Sequence, residues 1–178
     1  MNSDSQKNSN QASKQSSKQS SKQSGLSHLD SDGDITMVDV SGKTPTTREA
    51  HASGQVVFPA DIYTQIKAAD GMTKKGSITQ PAHIAGIMAA KRTHDLIPLC
   101  HPLPLDKISL SFAYDDAHHS ITVTATVKVT HKTGVEMEAL TAVSVACLTI
   151  YDMTKAISHD IVIDNIHLMK KTGGKSDY

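Results

Sequence analysis

The sequence predicts an α+β fold in which one antiparallel sheet carries helices on one of its faces. Three observations point there. Apolar segments of strand and helix periodicity follow one another in the order strand, helices, strand, strand, helix, strand. The two central strand segments are joined only by Asp115-Asp116-Ala117-His118-His119, a hairpin signal. The last helix is long and carries no charge across thirteen consecutive residues, Ala139 to Tyr151.

Met37 to Val40 is short and apolar, and Arg48 to Phe58 is a strand candidate interrupted by Gly54. Pro59 opens a helix through Ala69, since proline suits a first helical turn. After Gly71, the basic turn Lys74-Lys75-Gly76 leads to a second helix, Thr79 to Thr93, with Ile84, Ile87 and Met88 at helical spacing. The stretch from Ile97 to Pro104 contains three prolines and reads as an extended loop. Strands are expected at Lys107 to Tyr114 and Ser120 to Thr130. Gly134 breaks the second, a helix runs from Val135 to Ile157, and Ile161 to Met169 alternates weakly as a last strand. From Arg48 the order is β-α-β-β-α-β with the intervening helices, the pattern of a ferredoxin-like sandwich.

Composition narrows the function. The chain has 178 residues, 18 Lys plus Arg against 18 Asp plus Glu, and 3% aromatics. Zero net charge and few rings argue against a protein that grips nucleic acid through phosphate neutralisation and base stacking. Residues 1–24 are almost entirely Ser, Gln, Asn and Lys and repeat Lys-Gln-Ser three times. They are expected to be a disordered tail, with residues 25–178 as one domain. No apolar run reaches membrane length and no apolar signal core opens the chain, so neither a membrane span nor secretion is expected. With only Cys100 and Cys147, a disulfide framework is excluded and a reducing, cytoplasmic compartment is expected.

The charge-free helix demands a partner: apolar or small on every side, it is buried on every side, and a two-layer sandwich covers only one. Ala139, Ala142, Ser144 and Ala146 permit close approach by a second copy. Glu136 and Glu138 in its first turn suit the helix dipole, but Asp152 near its C-terminus is at the wrong end of it. From these residues alone, dipole compensation with an Asp152–Lys155 surface pair and a functional role both stand. His101, held between prolines, is either a ligand-recognising or a solvent-facing loop residue. Thr172-Gly-Gly-Lys-Ser176 imitates the end of a phosphate loop but lacks the following helix, leaving a flexible glycine pair among Lys170, Lys171 and Lys175. Arg48, Lys74, Lys75, Lys91, Arg92 and Lys155 sit at element junctions, either gathered round a polyanion or scattered. No histidine pair or Cys/His cluster has zinc spacing, and no metal is expected.

Several long segments together carry a resemblance. They are Met37-Val-Asp-Val-Ser41, Ile84-Ala-Gly-Ile-Met-Ala-Ala-Lys-Arg-Thr-His94 and Leu96-Ile-Pro-Leu-Cys-His-Pro-Leu103. They continue with Thr133-Gly-Val-Glu-Met-Glu-Ala-Leu-Thr-Ala-Val-Ser-Val-Ala146, Ile150-Tyr-Asp-Met153 and Gly173-Gly-Lys-Ser176. In that order they resemble the cyclic pyranopterin monophosphate synthase family, the molybdenum cofactor biosynthesis protein C. The resemblance covers Leu26 to Ser176. Thr154 and Thr172 stand where many relatives have Cys and Ser, and neither change removes a functional group.

The resemblance implies a ferredoxin-like subunit in a homohexamer, a trimer of dimers with active sites at subunit interfaces. It implies a lyase that takes a cyclised dihydro-GTP intermediate, made by a radical-SAM GTP cyclase, to cyclic pyranopterin monophosphate and pyrophosphate, with no cofactor. Carried over by motif, the catalytic positions are Asp152, Lys75 and Lys155. The substrate-binding positions are Leu99, Cys100, His101, Glu136, Met137, Glu138, Arg48 and Lys171. The reading from another class is a non-catalytic nucleotide-binding module of the same fold, which would need the cations but not Asp152.

Overall fold

The computed structural model describes residues 28–29 and 32–178, so the expectation of a disordered tail over residues 1–24 lies outside the described residues. The main sheet has four strands: β1 (Thr46–Val57), β4 (Lys107–Asp115), β5 (Ser120–His131) and β6 (Val162–Thr172), ordered β4-β5-β1-β6 with every pair antiparallel. This is the ferredoxin-like arrangement. Helices α1 (Ala60–Ala68), α2 (Thr79–Lys91), α3 (Thr93–Leu96) and α4 (Glu136–Thr154) complete it, together with a two-stranded ribbon, β2 (Met72–Thr73) and β3 (Gly76–Ser77).

The core follows from strict alternation. Ala50, Ala52 and Val56 on β1 and Ile121, Val123, Ala125, Val127 and Val129 on β5 are fully buried on the face that meets α4. The other face is polar: Glu49 pairs in register with Lys128, His51 with Thr126, and Ser53 with Thr124. One face packs and one is solvated, as antiparallel sheets allow. The β4–β5 turn closes because Asp115 Oδ1 accepts the backbone N–H groups of Ala117 and His118 at 3.0 and 3.2 Å.

Four local readings change. Gly54 does not interrupt β1, which pairs through it; a Cβ there would lie 2.7 Å from Val143 Cγ1 and 2.9 Å from Ile166 Cγ1, so the glycine admits α4 and β6. The second helix stops at Lys91, and a separate turn, α3, ends where Ile97 turns extended ahead of Pro98. The basic turn 74–75 is the tip of the β2–β3 ribbon, with Gly76 at φ 102°. Strand β6 continues past Met169 to Thr172, and its register against β1 shifts twice. Asn165 at φ 52° lies in one shift. Two bulges break the period-two pattern, which is why its alternation is weak in the sequence.

Helices α2 and α4 cross closely because the residues between them are small. A Cβ on Gly86 would sit 3.0 Å from the Ala142 carbonyl oxygen. Helix α4 is buried along Ala139, Ala142, Val143, Ala146, Cys147 and Ile150, yet Leu148 is 56% exposed. On α2, Ile84 and Met88 are also exposed, and they share a surface cavity with Thr149 of α4. The uncovered side expected of this helix is therefore present in the single chain.

Candidate active site

Helix α4 organises two groups of candidate site residues, one at each end. At its N-terminus a cavity of about 310 Å³ is lined by Leu99, Cys100 and His101 from the proline loop and by Glu136, Met137 and Glu138 from the first turn. The loop is not extended throughout as expected: the Cys100 N–H donates to the Ile97 carbonyl at 3.0 Å and closes a turn at Pro98-Leu99, from which Leu99, Cys100 and His101 reach the cavity. Glu138 is only 4% exposed. Burial, with the charge of Glu136 adding, pushes its carboxyl up to about 7 against the pull of its own backbone N–H. Burial and Glu138 together push the Cys100 thiol up, so it stays protonated at neutral pH. His101 Nε2 donates to the Val38 carbonyl at 2.9 Å, which requires the tautomer protonated on Nε2.

A second cavity of about 230 Å³ adjoins the first and shares Lys43, Thr133, Gly134 and Glu136 with it. Arg48, Lys43, Lys132, Lys171 and Lys175 line it against the carboxylates of Glu49 and Glu136. Glu49 is engaged by Lys128, the main cause holding its carboxyl below the ordinary range, and by His51 at 2.5 Å. Lys171 Nζ lies 3.4 Å from Glu136 Oε1, and Arg48 Nε donates to the His131 carbonyl at 3.0 Å. The cavity is thus net cationic, the character a polyphosphate requires.

The glycine pair does not hang loose. Lys171 and Tyr178 exchange backbone hydrogen bonds of 2.9 and 3.0 Å, and the Gly173 N–H donates to Asp177 Oδ1 at 3.1 Å. Gly173 adopts φ 82°, and a Cβ there would fall 2.0 Å from the Thr47 carbonyl oxygen. The flexible pair expected from the sequence is a closed turn whose glycine is sterically required. Gly174, Lys175 and Ser176 still line the cationic cavity.

At the other end of α4, Lys155 Nζ lies 2.7 Å from Asp152 Oδ1. Lys75, on the β2–β3 tip, donates to the Asp152 carbonyl at 3.0 Å and lies 3.8 Å from its carboxylate. The hydrogen bond and charge of Lys155, with Lys75 adding, hold the Asp152 carboxyl down, and Asp152 in turn holds the Lys155 ammonium up. In one chain this is an exposed cluster of one carboxylate and two cations.

The structure therefore joins Asp152, Lys75 and Lys155 at one end and Leu99, Cys100, His101, Glu136, Met137, Glu138, Arg48 and Lys171 at the other. It does not join the two sets. Glu138 and Asp152 are fourteen positions apart on one helix, roughly 21 Å at 1.5 Å per residue. Lys91 and Arg92 line neither cavity. Sequence reasoning missed Lys43 and Lys132; the one available signal was that Lys132 precedes the Thr133-Gly134 lead into α4.

Comparison with known proteins agrees with this geometry. The MoaC family model matches residues 37–174, which span both ends of α4 and the linings of both cavities except His28, Lys175 and Ser176. A cyclic pyranopterin monophosphate synthase of Heliobacterium modesticaldum is 53% identical over 153 residues, 86% of this chain and 95% of that protein. The enzyme of the same name from Methylobacterium nodulans is 54% identical over 151 residues, 85% of this chain and 93% of that protein. That of Parvibaculum lavamentivorans is 54% identical over 155 residues, covering 86% and 95%. The matched span takes in the proline loop, the Glu136–Glu138 turn and the Asp152–Lys155 turn alike, and on that breadth of agreement the chain belongs to the MoaC family.

Proposed function

We propose that this chain is a cyclic pyranopterin monophosphate synthase, a lyase of molybdenum cofactor biosynthesis. It converts the cyclised dihydro-GTP intermediate, supplied by a radical-SAM GTP cyclase, to cyclic pyranopterin monophosphate with release of pyrophosphate. The observation that carries this reading is identity above one half, held over more than nine tenths of each relative's length.

The residues support a division of labour. The cationic cavity, with Arg48 and Lys171, receives the phosphates. Forming the cyclic phosphate makes a new ester bond at the innermost phosphorus and breaks its bridge to the outer two. The departing pyrophosphate gains charge, which fixed cations stabilise. The adjoining cavity receives the purine-derived part, with Leu99, Cys100, His101 and Met137 around it. Glu136 lies between the two and holds Lys171. Glu138, poised at about 7, is suited to hand a proton to the opening ring and take one back near neutral pH.

Asp152, Lys75 and Lys155 act in acid-base steps within a site completed by a second subunit. In one chain Asp152 and Lys155 stabilise each other's charges, which moves both away from neutral titration. Burial against a neighbouring chain opposes that trend by disfavouring charge. The exposed apolar side chains of Ile84 and Met88 on α2 and Leu148 on α4 support such an assembly, with a homohexamer of three dimers as its form. No helix among the described residues is long and apolar enough to cross a membrane, and a cytoplasmic enzyme free of nucleic acid fits the composition.

The test is to supply the purified protein with the cyclised dihydro-GTP intermediate and follow cyclic pyranopterin monophosphate and pyrophosphate. Turnover by the wild type that Asp152→Asn abolishes, with binding retained, is the expected result. Binding without turnover in both proteins would favour the non-catalytic nucleotide-binding module.

A further inference from the structure

Residues 37–43 belong to no strand or helix, and residues 41–43 form a turn. Val38 and Val40 are half-buried, while Met37, Asp39 and Ser41 are exposed, the alternation of a chain lying flat on a surface. The surface beneath is the larger cavity, which both valines line. Within the segment, the Ser41 N–H donates to Asp39 Oδ1 at 2.8 Å and the Lys43 N–H to the Val40 carbonyl at 3.1 Å. These bonds shape a turn after Val40, and that turn delivers Lys43 to the boundary where it lines both cavities.

Two side chains of the domain hold the segment by its carbonyls: His101 at Val38, at 2.9 Å, and Lys132 at Ser41, at 2.6 Å. Both also line the cavities, His101 the larger and Lys132 the cationic one. The groups that hold the segment down are thus groups exposed to a bound ligand, and the segment ends in a cation beside the cavity that suits a polyanion.

We propose that residues 37–43 form a lid over the site, latched by His101 and Lys132, whose closure delivers Lys43 as a further substrate-positioning cation for the phosphate end of the ligand. The proposal rests on the function proposed above. A polyanion in the cationic cavity draws Lys43 inward and holds the lid shut, and its departure leaves only the two latches. The lid thereby couples occupancy of the phosphate subsite to exclusion of water from the ring-binding subsite.

The test is backbone hydrogen exchange on the full chain, read by mass spectrometry over residues 37–43, with inorganic pyrophosphate as the probe. In the wild type, pyrophosphate is expected to slow exchange in this segment. Lys132→Met is expected to speed exchange there about tenfold without ligand, the loss of one charged-donor hydrogen bond, while core amides of β1 and β5 stay unchanged. Lys132→Arg should restore the slow rate. Lys43→Met should exchange like the wild type when free and lose the protection given by pyrophosphate. A segment that exchanges at the wild-type rate in Lys132→Met, or that pyrophosphate still protects in Lys43→Met, overturns the proposal. The readout needs no turnover, so failure to convert the cyclised nucleotide and failure of the lid are separately visible.

Discussion

Replacing Glu138 by Gln should stabilise the protein at alkaline pH and leave it nearly unchanged in acid. The side chain is 4% exposed at the floor of the site, and its carboxyl titrates at about 7, against 4.5 for a free glutamate. A raised acid pKa means the folded state holds its proton more tightly than the unfolded chain does. The stability linked to that proton is fully present below pH 4.5 and is lost as pH rises through about 7. A shift of this size corresponds to about 3 kcal/mol between pH 4 and pH 8. Glutamine keeps the shape and carries no such cost, so the Gln variant should gain on the wild type across that window. For an ordered domain of this size the gap in melting temperature should grow by about 10 °C. The assay is thermal unfolding of both proteins at several pH values and one protein concentration, since assembly makes the midpoint concentration-dependent. Turnover should fall in the same variant. A gap that stays constant from pH 4 to pH 8 would refute the reasoning, because the carboxylate would then ionise in the folded protein without penalty.

Gly86→Ala should lower stability: overpacking against the Ala142 carbonyl and Leu110 costs about 1 to 3 kcal/mol, and better helix propensity returns about 1 kcal/mol. A fall of a few degrees in melting temperature is expected, and a rise would mean that the α2–α4 crossing relaxes freely. Lys75→Ala should damage turnover far more than Lys74→Ala, because only Lys75 reaches Asp152; equal losses mimicked by added salt would reduce the ribbon tip to a diffuse positive field. Glu138→Ala and Asp152→Ala, each inactive as a pure oligomer, should regain part of the activity when co-assembled, since some shared sites then carry neither lesion. Confirmed mixed oligomers without activity would sink the shared site for this pair, and would leave the two residues in separate roles or Glu138 in a structural one. Gly173→Ala should weaken the C-terminal turn, since its φ of 82° and the Thr47 carbonyl both exclude a side chain. The expected loss is in substrate affinity, read as a raised KM.

The order of elements was legible in the amino-acid sequence because periodicity and turn chemistry are local. Alternation along residues 120–130, the Asp115–His119 turn and the charge-free run ahead of Asp152 each declare themselves within a few residues. The uncovered side of α4 was legible too, since a helix apolar all round cannot be satisfied by one layer. Most site residues were reached through motif resemblance, which preserves identity without geometry. What only the tertiary structure decided depends on partners far along the chain. Gly54 reads as a strand breaker until Val143 and Ile166 are seen beside it. The bulges of β6 blur its own pattern and become visible only in register with β1. Lys132 meets Ser41 across 91 positions and His101 meets Val38 across 63, separations over which no local propensity acts. The division of the site residues between the two ends of α4 is likewise a matter of long-range packing, because helix rise sets their separation and only the fold sets which loops meet each end.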